Sequence, residues 1–103
     1  MKSLLKVRWT QTAKQRLEEI EVYVSHDNPV AARKIIRALI GKTALKLSQY
    51  PQIGRSGRID GTRELVFPDN PFIVIYTVRQ DTITVLTVFH AAQKFPDAIG
   101  IEH

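Results

Sequence analysis

The unbroken apolar run FIVIY, residues 72–76, decides how this chain of 103 residues can fold. A strand that is apolar on both faces has to be covered on at least one of them, so the run predicts the central strand of a sheet. Two further strand candidates, residues 62–67 and 82–89, flank it, and short polar turns separate all three. Consecutive hairpins are the natural connection at such turns, and the sequence therefore predicts a three-stranded antiparallel meander.

Upstream of the meander, most of the first half of the chain has the periodicity of helices. A short alternating strand at residues 4–9 comes first, and the sequence TAKQ at 12–15 then has the threonine and glutamine of a capping box. This box predicts the start of a first helix, which we expect to end near Ser25. Asn28 followed by proline predicts the cap and first residue of a second helix. Pro51 ends that helix because proline disfavours helical backbone in the residue before it.

The order of these elements predicts an α+β fold. An N-terminal strand, an antiparallel helical hairpin and the meander are expected to form one twisted sheet with both helices on one face. The second helix presents an apolar stripe to that sheet: Ala32, Ile35, Ile36, Leu39, Thr43 and Leu47. Residues 51–61 are expected to be a glycine-rich loop. We predict a single domain over residues 1–96 and a short C-terminal tail over 97–103.

Charge and composition limit the classes of function. The net charge is +5, and the chain has no cysteine, which excludes a disulfide framework and thiolate chemistry. Its three histidines lack the spacing of metal ligands, so we expect neither a metal nor another cofactor. The absence of an apolar run of about 18 residues and of a secretory signal predicts a cytoplasmic protein that does not enter a membrane. The basic balance favours a polyanion or an acidic protein as partner.

Three side chains at strand ends are candidates for acid–base chemistry. Arg63 and Glu64 are neighbours near the start of one strand, so they point to opposite faces of the sheet. His90 closes the last strand, where its imidazole can exchange a proton near neutral pH. Ordinary structural roles are the alternative: an exposed ion pair for Arg63 and Glu64, and a strand-end cap for His90. A metal-free ribonuclease would need such a base, acid and cation together.

Five further residues are candidates for contacts with a target. They are Arg55 and Arg58 in the glycine-rich loop, Arg79 in a hairpin, and Lys94 and Phe95 after the last strand. Cations and an aromatic ring of this kind can clamp and stack on a nucleotide. Solvated arginines, glycines that only supply turns, and a phenylalanine that fastens the tail are the alternatives. Tyr76 is expected to belong to the core.

The chain resembles the RelE/ParE superfamily of toxins from type II toxin–antitoxin modules over nearly its whole length. The resemblance is carried by the order and spacing of short segments rather than by any one of them. These segments are VRWT at 7–10, Ala13 and Leu17, Pro29 with Ala32, Leu47 with PQIGR at 51–55, GTREL at 61–65, PFIVIY at 71–76 and VFHAAQKFP at 88–96.

This resemblance implies a growth-arresting toxin of the plasmid-stabilisation kind, with an antitoxin that folds onto it and neutralises it. ParE-like members poison DNA gyrase, whereas RelE-like members cleave messenger RNA on the ribosome. Residues 51–96 carry a net charge of only +1, and the helical hairpin is long, so we favour the ParE-like branch. The RelE-like alternative is an enzyme, a metal-free endoribonuclease, with Arg63, Glu64 and His90 as its catalytic residues. A third possibility is a non-toxic relative that only binds its partner.

Overall fold

The chain forms a helical hairpin and a mixed sheet, seen in a computed structural model that describes residues 5–67 and 71–91. The predicted α+β fold is confirmed. The elements in chain order are β1 (Lys6–Trp9), α1 (Gln11–Ser25), α2 (Pro29–Gln49), β2 (Arg55–Ser56), β3 (Arg63–Val66), β4 (Phe72–Arg79) and β5 (Thr82–His90). No helix in these two ranges is long and apolar enough to cross a membrane.

The sheet has five strands in the order β1-β5-β4-β3-β2. The predicted meander supplies β3, β4 and β5, which pair antiparallel. The N-terminal strand β1 pairs in parallel with β5, so the helical hairpin is the crossover that connects them. The prediction of a loop over the whole of residues 51–61 is wrong in one place. Arg55 and Ser56 pair with β3 as a two-residue edge strand.

The two faces of the sheet have different coverings. On the face toward the helices, which we call the helix face, the core includes Val74, Tyr76 and Val85 from the strands together with Leu17 and Leu39 from the helices. The opposite face, here called the far face, has a smaller buried cluster: Ile73, Ile75, Leu86 and Phe89, with Ile59 packed against them. The central position predicted for residues 72–76 is confirmed, since all five are buried.

The second helix begins and ends as predicted. The side chain of Asn28 accepts a hydrogen bond from the Ala31 backbone N–H, and Pro29 is the first helical residue. The predicted apolar stripe faces the core, with Ile35 half-buried and its other five members buried. The helix ends at Gln49, before the Tyr50-Pro51 pair.

The predicted capping box at residues 12–15 is wrong, because α1 begins two residues earlier. Thr10 is the N-cap: its Oγ1 accepts from the Ala13 backbone N–H at 3.0 Å and donates to the Leu86 carbonyl oxygen at 3.1 Å. Thr12 lies inside the first turn. The tertiary structure favours Thr10 over Thr12 as the cap because the Thr10 hydroxyl also reaches β5. Local spacing does not reveal this contact.

Replacing Thr10 with alanine is therefore expected to lower the free energy of unfolding by about 1–2 kcal/mol. The buried Ala13 N–H and Leu86 carbonyl would each lose their hydroxyl partner. Thr12→Ala is the matched control and is expected to change stability by less than about 0.5 kcal/mol. Urea unfolding of the two variants measures the difference, and equal effects would contradict this assignment of the cap.

Candidate functional site

Glu64 lies on the far face of β3 at the centre of a small ion cluster with Arg55 and Arg58, named here the Glu64 cluster. Only 2 % of Glu64 is exposed. Its Oε1 accepts from Arg55 Nη2 at 2.9 Å and from Arg55 Nε at 3.2 Å. Its Oε2 accepts from the Arg58 backbone N–H at 3.2 Å and lies 3.5 Å from Arg58 Nε. Both carboxylate oxygens are therefore engaged by arginine.

The backbone around residues 55–62 brings the two arginines to Glu64. Arg55 stands directly opposite Glu64 in the β2–β3 pair. Beyond β2 the loop closes on itself, because the Gly57 N–H donates to the Thr62 carbonyl at 2.8 Å and the Thr62 hydroxyl donates to the Ile59 carbonyl at 2.6 Å. A Cβ on Gly57 would lie 2.9 Å from that Thr62 carbonyl oxygen, so this approach requires glycine.

The Glu64 cluster covers part of the apolar far face. The guanidinium carbon of Arg58 lies 5.6 Å from the centre of the Phe89 ring, within the range of a cation–π contact. The side chains of Arg55 and Arg58 are about half exposed, at 55 % and 49 %, and so remain partly hydrated. The cluster carries two positive charges against one negative charge and can present a cation to a partner without exposing its carboxylate.

Arg63 points to the opposite face and binds the backbone of the segment that follows α2. Its Nη1 donates to the Gly54 carbonyl oxygen at 2.7 Å and to the Gln52 carbonyl oxygen at 3.2 Å. Its neighbour across the sheet is Tyr76. These contacts give Arg63 a structural role at the rim of the helix face.

Tyr76 also binds the backbone of the segment that follows α2, from inside the core. Its hydroxyl donates to the Pro51 carbonyl oxygen at 2.9 Å and accepts from the Gly54 N–H at 2.8 Å. Burial raises the pKa of the Tyr76 phenol, although the Gly54 hydrogen bond and the nearby Arg63 charge both act to lower it. The phenol is therefore neutral near pH 7 and can donate to Pro51. The expected core position of Tyr76 is confirmed, but the sequence did not reveal its two hydrogen bonds.

His90 lies away from Arg63 and Glu64. It is the last residue of β5 and pairs with Phe72, whose ring meets the imidazole edge to face at a centroid distance of 5.5 Å. Arg63 lies on β3, which flanks β4 on the side opposite β5. It pairs with Tyr76, four residues further along β4 than Phe72. With about 3.3 Å per residue and about 4.8 Å between strands, the Cα atoms of Arg63 and His90 are about 16 Å apart. Glu64 points to the face opposite His90.

The target-contact candidates are likewise dispersed. Arg55 and Arg58 belong to the Glu64 cluster, whereas Arg79 is exposed at the other end of β4 from the Phe72–His90 pair. Lys94 and Phe95 lie outside the described residues. Among residues 5–67 and 71–91, no three histidine, aspartate or glutamate side chains are grouped so that they could hold a metal ion.

A cavity at the outer edge of β3 was not predicted from the sequence. Its volume is about 360 Å³, and it is lined by Lys46, Ile53, Arg55, Glu64, Leu65, Val66 and Phe67. Lys46 comes from the last turn of α2, and Ile53 from the segment that Arg63 and Tyr76 hold in place. Ile53, two residues after the helix-ending Pro51, was the available signal in the sequence, since a large apolar residue in a loop often marks a contact.

Comparison with known proteins assigns the chain to a family. Residues 7–95 match the model of the ParE toxin of the type II toxin–antitoxin system, parDE. The Y4kP protein of Sinorhizobium fredii is 44% identical over 94 residues, which span 91% of this chain and 96% of that protein. The fold and these matches together define a toxin of a type II toxin–antitoxin system. The chain belongs to the ParE toxin family.

Solved structures share the fold at lower sequence identity. The chromosomal ParDE system of P. aeruginosa matches with a TM-score of 0.74 and 24% identity over 84% of this chain and 96% of that one. The toxin–antitoxin complex RelBE2 of Mycobacterium tuberculosis matches with a TM-score of 0.67 and 22% identity over 90% and 98%. The family match over residues 7–95 and the 44% identical relative confirm the predicted membership of the RelE/ParE superfamily.

Proposed function

We propose that this chain arrests growth by acting on DNA gyrase and that a cognate antitoxin neutralises it by binding. The family assignment supports a toxin, and the ParDE and RelBE2 structures are of toxin–antitoxin systems, which supports an antitoxin partner. The choice of gyrase over messenger RNA rests on the arrangement of Arg63, Glu64 and His90.

The separation of these three residues is the observation that carries the proposal. Cleavage of RNA needs a base, an acid and a cation within hydrogen-bond reach of one phosphate group. Arg63 and His90 are about 16 Å apart by strand spacing, and Glu64 lies on the other face. Both carboxylate oxygens of Glu64 are also engaged by arginine side chains. The distance between Arg63 and His90 and the position of Glu64 on the other face argue against a joint action of the three groups on one phosphate group.

Induced expression of the chain alone tests the proposal. We expect growth arrest, accumulation of chromosomal DNA breaks and intact messages. With purified components, the chain should convert supercoiled plasmid to linear DNA only when gyrase is present. Messages cut in a translating extract would instead support the ribonuclease alternative. Unimpaired growth would support the third alternative, a relative that only binds its partner.

A variant that combines Arg63→Lys with His90→Ala is expected to retain toxicity, measured as the fall in viable cells after induction. The lysine keeps a positive charge near the carbonyl groups of residues 52 and 54, and His90 is replaced at a strand end. Thermal unfolding has to show that the variant is folded. Loss of toxicity in a folded variant would contradict the gyrase proposal and favour RNA cleavage.

A further inference from the structure

The side of the helical hairpin that faces away from the sheet, named here the outer hairpin face, carries exposed apolar side chains. On α1, Val22 is 69% exposed and Tyr23 is 79% exposed, and Val30 at the start of α2 is 64% exposed. A shallow cavity of about 600 Å³ lies over the same part of α1, lined by Gln15, Glu18, Glu19, Val22, Tyr23 and His26. Grouped apolar side chains beside a concave surface are typical of a protein interface.

The two helices of this face carry opposite charges. The second helix has five cationic residues and no aspartate or glutamate: Arg33, Lys34, Arg37, Lys42 and Lys46. The second half of α1 has three glutamates and no cationic residue: Glu18, Glu19 and Glu21. Glu19 is already paired within α1, since its Oε1 lies 3.0 Å from Arg16 Nη1. The face therefore has an acidic half and a basic half.

The helical period places Glu18 and two of the cations near the middle of the outer hairpin face. Glu18 and Val22 are four residues apart and share the side of α1 opposite its buried residues. Lys34 and Arg37 are three residues apart and share the side of α2 opposite its buried stripe. Glu18 comes nine residues before Asp27 in the turn, and Arg37 comes ten after it. With a rise of about 1.5 Å per residue, Glu18 and Arg37 stand at nearly the same height along the hairpin.

A two-fold axis between two copies of the chain would match these charges. An axis parallel to the helices and midway between them places α1 of each copy on α2 of the other, and it leaves heights along the hairpin unchanged. Glu18 of one copy then meets Arg37 and Lys34 of the other, and the symmetry produces this contact twice. An axis across the helices would instead set α2 against α2, with five cationic residues facing five. The charges therefore select the axis parallel to the helices.

We propose that the outer hairpin face binds a second copy of this chain and forms a two-fold symmetric dimer. Contacts between Glu18 of one copy and Arg37 of the other fix its register, and Tyr23 of one copy stands at the height of Val30 of the other. Two helices present a face of about 22 Å by 20 Å, which is at the low end of specific interfaces, so we expect micromolar affinity. The inference goes beyond the proposed function and is independent of the target.

Sedimentation velocity of the whole chain without antitoxin tests the self-association directly. The mass is expected to rise from that of one chain, 11.7 kDa, toward twice this value between about 1 and 100 µM. A chain that stays monomeric over this range would overturn the inference. The proposed function would stand in that case, because growth arrest and DNA breaks are measured separately.

Two charge reversals and their mixture test the geometry of the dimer. Glu18→Arg brings like charges together in the dimer, and so does Arg37→Glu, so each variant alone should associate at least about tenfold more weakly. In an equimolar mixture, one copy of each variant restores both contacts between opposite charges. The mixture should therefore associate within about threefold of the wild-type chain. Arg79→Glu is the control at an exposed arginine outside the hairpin, and it should also stay within about threefold.

Recovery in the mixture cannot come from misfolding of either variant, and circular dichroism checks that each is folded. A mixture of folded variants that stays monomeric, or a dimer that neither reversal weakens, would overturn the inference. A third result would overturn it as well: a monomeric wild-type chain whose affinity for the antitoxin falls with the same two reversals. The outer hairpin face would then bind the antitoxin instead of a second copy.

Discussion

Replacing both Arg55 and Arg58 with methionine is expected to lower the free energy of unfolding by about 3 kcal/mol. Glu64 would then remain 98% buried beneath two apolar side chains, with the Arg58-position backbone N–H as its remaining donor. A buried carboxylate without a counter-charge is costly, whereas the two half-exposed arginines are already partly hydrated. The loss of stability therefore depends on whether Glu64 or its arginines are replaced.

Glu64→Gln is the matched comparison, because it removes the charge and leaves the shape. The arginines can turn to water, so this variant should lose only about 1 kcal/mol. Adding Glu64→Gln to the double methionine variant should recover part of its lost stability. Urea unfolding measures all of these, with Arg79→Met as a control at an exposed site. A double methionine variant no less stable than Glu64→Gln would show that Glu64 does not depend on its arginines.

Gly54→Ala is expected to lower the free energy of unfolding by about 1–3 kcal/mol. A Cβ there would lie 2.6 Å from the Tyr76 hydroxyl oxygen, 2.8 Å from a carbon of its ring and 3.0 Å from the Glu64 carbonyl oxygen. Tyr76 is fully buried and hydrogen-bonded to the same segment, so neither ring nor backbone can move away cheaply. The hydrogen bond from Gly54 to Tyr76 would be stretched or lost.

Two further variants separate this overpacking from the lost hydrogen bond. Tyr76→Phe should cost about 1–2 kcal/mol by leaving the Gly54 N–H and the Pro51 carbonyl without their partner. The double variant should cost less than the sum, because removing the hydroxyl also removes the closest clash. Gly41→Ala is the control: nothing lies within 4 Å of its added Cβ, and alanine favours helix. Additive losses in the double variant would contradict the proposed coupling.

Local sequence patterns predicted most of the elements correctly. The limits of α2 are set as expected by Asn28 and Pro29 at its start and Pro51 after its end. Capping and proline geometry act within a few residues, so a local pattern is enough to predict them. The apolar run at 72–76 is the central strand, because only a strand with neighbours on both sides can bury apolar side chains on both faces of the sheet. The capping box failed at Thr12 because the hydroxyl of Thr10 also binds β5, a contact 76 residues away in sequence.

The sequence by itself determined the family, the helical hairpin, the three main strands and the fact that Arg63 and Glu64 point to opposite faces. All of these depend on patterns of a few residues or on their order along the chain. Tertiary structure alone decided that β1 joins β5 in parallel and that Glu64 is held by Arg55 and Arg58. It also decided that His90 stands apart from both candidate partners. The physical reason is strand pairing: register sets distances between residues far apart in sequence, and no local pattern of this chain specifies that register.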